Sequence, residues 1–226
     1  VDAFTSSVVN PVNGTFDHSK AGSDLHGLYG TISHILPKST IEPYILWHLG
    51  PGFKTEEGLA ARRSAKTVAV RLHGTPRDRV DYTVHVLRQF GTIGSDSISA
   101  YAMNFSLGYK WPKAPLQPRI FGDFAYASGD KDAHDGRINT FDQMYPSGHG
   151  LYGIVDLVGW QHLRDIKSGL ELQPTKKLKV AAVVNDLSLA NSHDGLYNGV
   201  GNLVVRRPLG DAGTHVGFEV EGTANY

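Results

Sequence analysis

The sequence predicts an all-β fold: an antiparallel, up-and-down transmembrane β-barrel, or an open curved part of one, with about ten strands. Two patterns carry that prediction. Segments of about ten residues with alternating apolar and polar side chains recur from end to end, and the connections between them alternate long and short. The clearest segment runs from Ser99 to Trp111. Tyr101, Met103, Phe105, Leu107, Tyr109 and Trp111 share one face; Ala100, Ala102, Asn104, Ser106, Gly108 and Lys110 share the other. A strand sends successive side chains to opposite faces, so one face is greasy and the other small and polar. Lipid suits the first and a lumen the second.

The first strand, Val1–Val9, is weakly patterned, and a polar stretch with Asn-Gly and Ala-Gly-Ser turn signals follows over Asn10–Asp24. Strand two is Leu25–Leu36, closed by the tight Pro37–Thr40 turn, and strand three is Ile41–Gly50. A long loop is expected over Pro51–Lys66, with a possible helical turn in its Glu-Glu-Gly-Leu-Ala-Ala-Arg-Arg stretch. Strands four and five, Thr67–Gly74 and Val80–Phe90, flank a short turn. After Gly91–Ser97 comes the Ser99–Trp111 strand, then the Pro-rich turn Pro112–Pro118 and strand seven, Arg119–Ser128. The longest irregular stretch is Gly129–Gln161. Strand eight, Leu163–Gln173, and strand nine, Leu178–Ala190, flank the short Pro174–Lys177 turn. A long loop, Asn191–Gly213, precedes strand ten, Thr214–Tyr226.

Composition narrows the function classes. The 22 Lys+Arg balance 22 Asp+Glu, so no global field draws the chain to nucleic acid. Cys is absent, which excludes a thiolate metal site, a disulfide scaffold and a cysteine nucleophile. No apolar run approaches the roughly eighteen residues that a membrane helix needs, so any spanning is by strands. The chain has no initiating Met and no signal-peptide pattern, which reads as a processed or truncated polypeptide.

The segment Phe141-Asp142-Gln143-Met144-Tyr145-Pro146-Ser147-Gly148-His149-Gly150, continuing through Asp156 to Gly159-Trp160, resembles the signature stretch of the bacterial alginate-export outer-membrane porin family. Leu170-Glu171-Leu172-Gln173-Pro174-Thr175-Lys176-Lys177-Leu178 is similar to the family strand that follows it, and His215–Glu221 to a late strand, with Glu221 in place of an Asp. The resemblance implies a bacterial outer-membrane location and passive export or uptake of an anionic polysaccharide through a basic pore. It implies that residues 1–226 form a single barrel domain, incomplete at both ends and matching the C-terminal portion of the family barrel. It also marks Phe141, Asp142, Pro146, Gly148, His149, Asp156, Gly159 and Trp160 as a family-motif loop.

The face opposite the apolar one collects the ionisable residues. Arg71, His73, Lys110, Arg119, Asp123, Lys167, Glu171 and Lys179 are the expected lumen residues along the substrate path. The basic members suit the carboxylates of a uronate. The acidic members, with Glu42, Asp81, Asp165, Glu219 and Glu221, make the wall mixed, so a neutral saccharide also fits. His26 and His215 are placed on this face by the same alternation. The expected partners are therefore an anionic or neutral saccharide and the lipid bilayer; no periplasmic export or uptake partner is identified by the sequence.

Other chemistry reads more weakly. Asp130–Gly136 is oxygen-rich but lacks the bidentate Glu of an EF-hand and reads as a hydrated loop. His149, with Asp142 or Asp156 as orienting partner, has no accompanying nucleophile or metal motif and reads as a loop histidine. No cofactor, metal site or catalytic set is expected. The alternatives from other classes are an outer-membrane enzyme or adhesin using the long loops, and a soluble barrel that holds an apolar ligand inside. The soluble barrel requires the Tyr101/Phe105/Tyr109 face to point inward.

Overall fold

Alternation runs through the long strands of the computed structural model, which describes all residues except 11–12, 15–17, 146–151 and 208. The first strands are β1 (Asp2–Asn10), β2 (His18–Tyr29), β3 (Ile32–Ser33), β4 (Ser39–Lys54) and β5 (Ala60–Arg77). Next come β6 (Val80–Ile93), β7 (Asp96–Lys110), β8 (Arg119–Ala127), β9 (Arg137–Ile138) and β10 (Leu163–Leu172). β11 (Lys179–Leu189), β12 (Gly195–Tyr197), β13 (Leu203–Arg206) and β14 (His215–Asn225) complete the series.

One sheet runs in the order β1-β2-β4-β5-β6-β7-β8-β10-β11-β14, every neighbour antiparallel. The short β3 and β9 attach to β4 and β7, and β12–β13 form a separate hairpin. β1 and β14 do not pair with each other, so the sheet is not closed into a barrel and is consistent with an open curved part of one. Among the described residues there is no helix.

Two of the expected loops are strands instead. β4 and β5 continue to a turn at 55–59, and β6 and β7 meet at residues 94–95. The Pro51–Lys66 and Gly91–Ser97 segments are therefore largely upright hairpin, and no helical turn forms at Glu56–Arg63. Ladder pairing such as Gly50↔Arg63 and Arg63↔Ile93 satisfies backbone groups that a loop would leave to water.

Register fixes the two faces. The row Ile41, Leu72, Val84, Phe105, Phe124 and Ile166 crosses β4 to β10 on one face. One residue along, Thr40, His73, Thr83, Ser106, Asp123 and Lys167 cross the same strands on the other face, continuing to Asn185 and Glu219. The apolar face is bare: Val68, Val70, Tyr101, Phe105, Phe218 and Val220 are exposed. Tyr82, Val84 and Tyr109 lie on the same face and are half-buried among their neighbours. The polar face is covered by the two long loops, and its upper half holds the core of Ala69, Leu87, Ala100, Ala102 and Ala127.

Ten positions separate Tyr101 from Trp111. That is about 34 Å along a strand, or about 26 Å of height at a tilt near 40°, close to the ~25 Å apolar band of an outer-membrane barrel. Tyr101 stacks on Tyr126 at one limit, and Tyr109 meets Trp111 edge-on at 4.6 Å at the other.

Two histidines are corrected by the register. His26 stands opposite Thr5 and Trp47 on the bare face, and His215 pairs opposite Ser188 there, because a bulge between Leu187 and Ser188 shifts β14 by one residue. A one-residue shift turns every later side chain to the other face.

Candidate functional site

At the short-turn end of the covered face, strand parity brings four of the expected lumen residues together. Asp81, Lys110, Arg119, Glu171, Gln173 and Lys179 surround a cleft of about 260 Å³. Arg119 is held from both sides: its Nε and Nη2 donate to Asp81 at 2.9 and 2.6 Å, and Nη1 donates to Glu171 at 3.0 Å. The fork geometry of guanidinium favours such paired contacts. Lys179 Nζ lies 3.6 Å from the second Glu171 oxygen. Gly108 leaves room for this network, since a Cβ there would fall 2.5 Å from Arg119 Nη2.

The other four occupy the same face but not the same cluster. Asp123 and Lys167 stand opposite each other on β8 and β10. Arg71 and His73 lie on β5, with Glu42 at 3.4 Å from Arg71 Nη1 and 3.5 Å from His73 Nε2. His73 and Asp123 share the polar row across the sheet.

The family-motif loop packs down on this face. Phe141 is buried against Leu87 of β6 and the alanines of β5, β7 and β8, where bulk from the loop replaces bulk missing from those three strands. Burying a phenyl ring contributes about 1.5–3 kcal/mol. Asp142 is gripped at three points. Its carboxylate pairs with Arg63 and caps Met144 N at 2.7 Å. Its backbone N–H donates to Gln89 Oε1 at 2.9 Å, while Gln89 Nε2 donates to its carbonyl at 2.6 Å. The Gln89 amide thus imitates a strand neighbour.

Trp160 closes the loop. Its N–H donates to Gln143 Oε1, its Nε1 donates to Tyr126 O at 3.1 Å, and its ring lies beside His85, Phe141 and Tyr152. Gly159 permits this approach, because a Cβ would meet Asn198 O at 2.8 Å. Asp156 takes φ +58°, and its carbonyl accepts from Gly199 N at 3.4 Å. On the far side Glu219 Oε1 accepts from Ile154 N and Val155 N at 2.6 and 3.0 Å. The loop therefore bridges β5 and β6 to β14 across the covered face. Pro146, Gly148 and His149 lie outside the described residues, as does any reading of His149 as a base.

A second node, not foreseen from sequence, ties the two long loops together. The fully buried Asp194 carboxylate accepts from Arg206 Nη2 (2.6 Å), Tyr197 OH (3.0 Å), Thr140 Oγ1 (2.5 Å), Asp130 N (2.8 Å) and Gly195 N (2.6 Å). Burial pushes its carboxyl up, but the neighbouring imidazole of His162 and the converging donors outweigh that and hold it below the ordinary carboxylate range. Tyr152, beneath the loop, has its phenol pushed up by burial and by Asp165 and Asp123. Arg63 and Gln89 also escaped the sequence reading, although the period of two extended past Thr67 would have placed Arg63 on the covered face. Asp130 serves as a local cap, bonding Asp132 N and Asn139 N, and no metal-binding group of three or more His, Cys, Asp or Glu occurs among the described residues.

None of the curated proteins compared with the chain matches it. The sequence profile of one family does, that of alginate export, over residues 2–226. With strands whose bare face is apolar and whose covered face is polar, and with a match across nearly its whole length, this chain belongs to the alginate export family.

Proposed function

We propose that residues 1–226 form part of the wall of an outer-membrane channel whose covered face lines a water-filled path for a polysaccharide or oligosaccharide. The observation that carries this reading is the pair of adjacent rows: Thr40-His73-Thr83-Ser106-Asp123-Lys167-Asn185-Glu219 on one face, and the apolar Ile41-to-Ile166 row on the other. A face that is polar across eight consecutive strands suits water, and an exposed apolar reverse face suits lipid. Family membership supports the polysaccharide class. The unpaired edges of β1 and β14 support closure by further strands, since open edges are not tolerated in hydrocarbon.

In this reading Arg71, Lys110, Arg119, Lys167 and Lys179 offer cations to the carboxylates of a uronate chain, with His73, Asp123 and Glu171 setting local charge. The motif loop narrows the path from the long-loop side. Replacing Arg71, Arg119 and Lys167 together by Gln should slow passage of uronate oligomers at least tenfold more than passage of neutral oligomers of equal length, read by liposome swelling. Equal slowing of both would remove the electrostatic role and leave only the steric path.

A further inference from the structure

The apolar bare face gains cations and hydroxyls toward the long-loop end. Beyond the Val70–Val86–Met103 level come Val68, Arg88 and Tyr101, then Lys66, Phe90 and Ser99, then Ser64, Thr92 and Ser97. Arg88 stands between Val68 and Tyr101, and Lys66 stands diagonally from it, opposite Phe90. Tyr101 stacks on Tyr126 at 5.5 Å, and Tyr126 is paired with Arg164 on β10. Cations and aromatic rings are therefore interspersed along the upper limit of the belt.

These cations differ from those of the covered face. Arg63, Arg71 and Arg119 each meet a carboxylate. Among the described residues Lys66, Arg88 and Arg164 meet none. Lys66 Nζ rests 5.0 Å from the Trp47 ring centroid. Arg88 donates to Ser99 Oγ at 2.7 Å and Ala100 O at 3.3 Å, and Arg164 to Ser188 Oγ at 3.2 Å. These contacts orient each side chain without an ion pair to a described carboxylate. A cation beside exposed apolar surface is costly in a lipid setting unless an anion faces it.

We infer that Lys66, Arg88 and Arg164 form a docking row for the phosphate groups of an anionic lipid in the leaflet on the long-loop side. Charge complementarity selects phosphate, and the adjoining belt of Val68, Val86 and Met103 selects a phosphate that carries acyl chains. Trp47, Tyr101 and Tyr126 suit the headgroup level, where amphipathic rings collect. The inference rests on the membrane reading above.

The test is made on the closed barrel whose wall residues 1–226 form, in vesicles of phosphatidylcholine with and without diphosphorylated lipid A. It compares the native sequence with K66Q/R88Q/R164Q and with K113Q/K176Q/K177Q, which removes three cations from short turns. Each basic residue near an anionic surface contributes roughly a factor of five, so lipid A retained after detergent exchange should bind the first variant roughly 100-fold more weakly. The second variant should stay within about twofold of native. Equal retention by native and K66Q/R88Q/R164Q overturns the proposal, as does equal loss in both variants. Displacement of lipid A by inorganic phosphate would make this a free-phosphate site and overturn the lipid assignment. Failure of the native barrel to enter either vesicle would instead overturn the membrane reading, and the docking row with it.

Discussion

The Arg119 cluster and the Asp194 node both surround an arginine–carboxylate contact, yet they are built in opposite ways. Arg119, Asp81 and Glu171 come from three separate strands, converge by parity alone, and remain open to a solvated cleft. Asp194, Arg206 and Thr140 come from two long loops, and the carboxylate is sealed from solvent by five donors. Water can replace a lost partner in the cleft. It cannot reach Asp194, where a lost partner strands the others. The strand-borne network is thus suited to meeting a passing solute, and the loop-borne network to holding a shape.

That difference orders the expected effects. Asp194→Ala should be the most damaging, at about 3 kcal/mol in urea unfolding, because it leaves half-buried Arg206 uncompensated and four further donors unmet. A loss below about 1 kcal/mol would show that the loops are held elsewhere. Phe141→Ala should follow at about 3 kcal/mol, since four of the five buried residues around the cavity are alanines, which are too short to close it. Gln89→Ala should cost about 1–3 kcal/mol by orphaning the Asp142 peptide, and should expose the loop to protease while the strands stay protected.

Acid separates the two regions as well. The Asp194 carboxyl is held below the ordinary range, so its stabilisation is fully present above a pH of about 4 and is lost as pH falls through the folded-state value. Proteolytic nicking between residues 190 and 214 should therefore rise at low pH, and Asp194→Asn should abolish that dependence. The smallest effect on stability belongs to Arg119→Gln, at about 1 kcal/mol in this hydrated setting. The informative companion is Asp81→Asn with Glu171→Gln, which releases the Arg119 guanidinium. Anion-over-cation permeability should rise, and an unchanged ratio would place Arg119 off the solute path.

The motif loop illustrates how far the sequence reaches. Phe141, Asp142, Gly159 and Trp160 stand out in the sequence through a family resemblance, but their partners do not. Arg63 lies 79 positions before Asp142, and Glu219 lies 65 after Ile154. No local pattern links residues so far apart. The eight residues expected along a lumen split for the same reason: alternation puts all eight on a common face, while only the register decided that Lys110, Arg119, Glu171 and Lys179 share a cleft and Arg71 and His73 do not.

By itself, then, the sequence determined the strand order, the facing of most side chains and the all-β class, because a period of two is a local property that each strand expresses independently. It misjudged the upper hairpins at 51–66 and 91–97, where polar residues still find ladder partners, and it misplaced His215, where a bulge breaks parity. Only the tertiary structure decided that a loop fills the alanine-lined hollow and that one aspartate clasps two loops. Those choices depend on which surfaces are left unsatisfied after the sheet forms, and that inventory exists only once every strand has found its register.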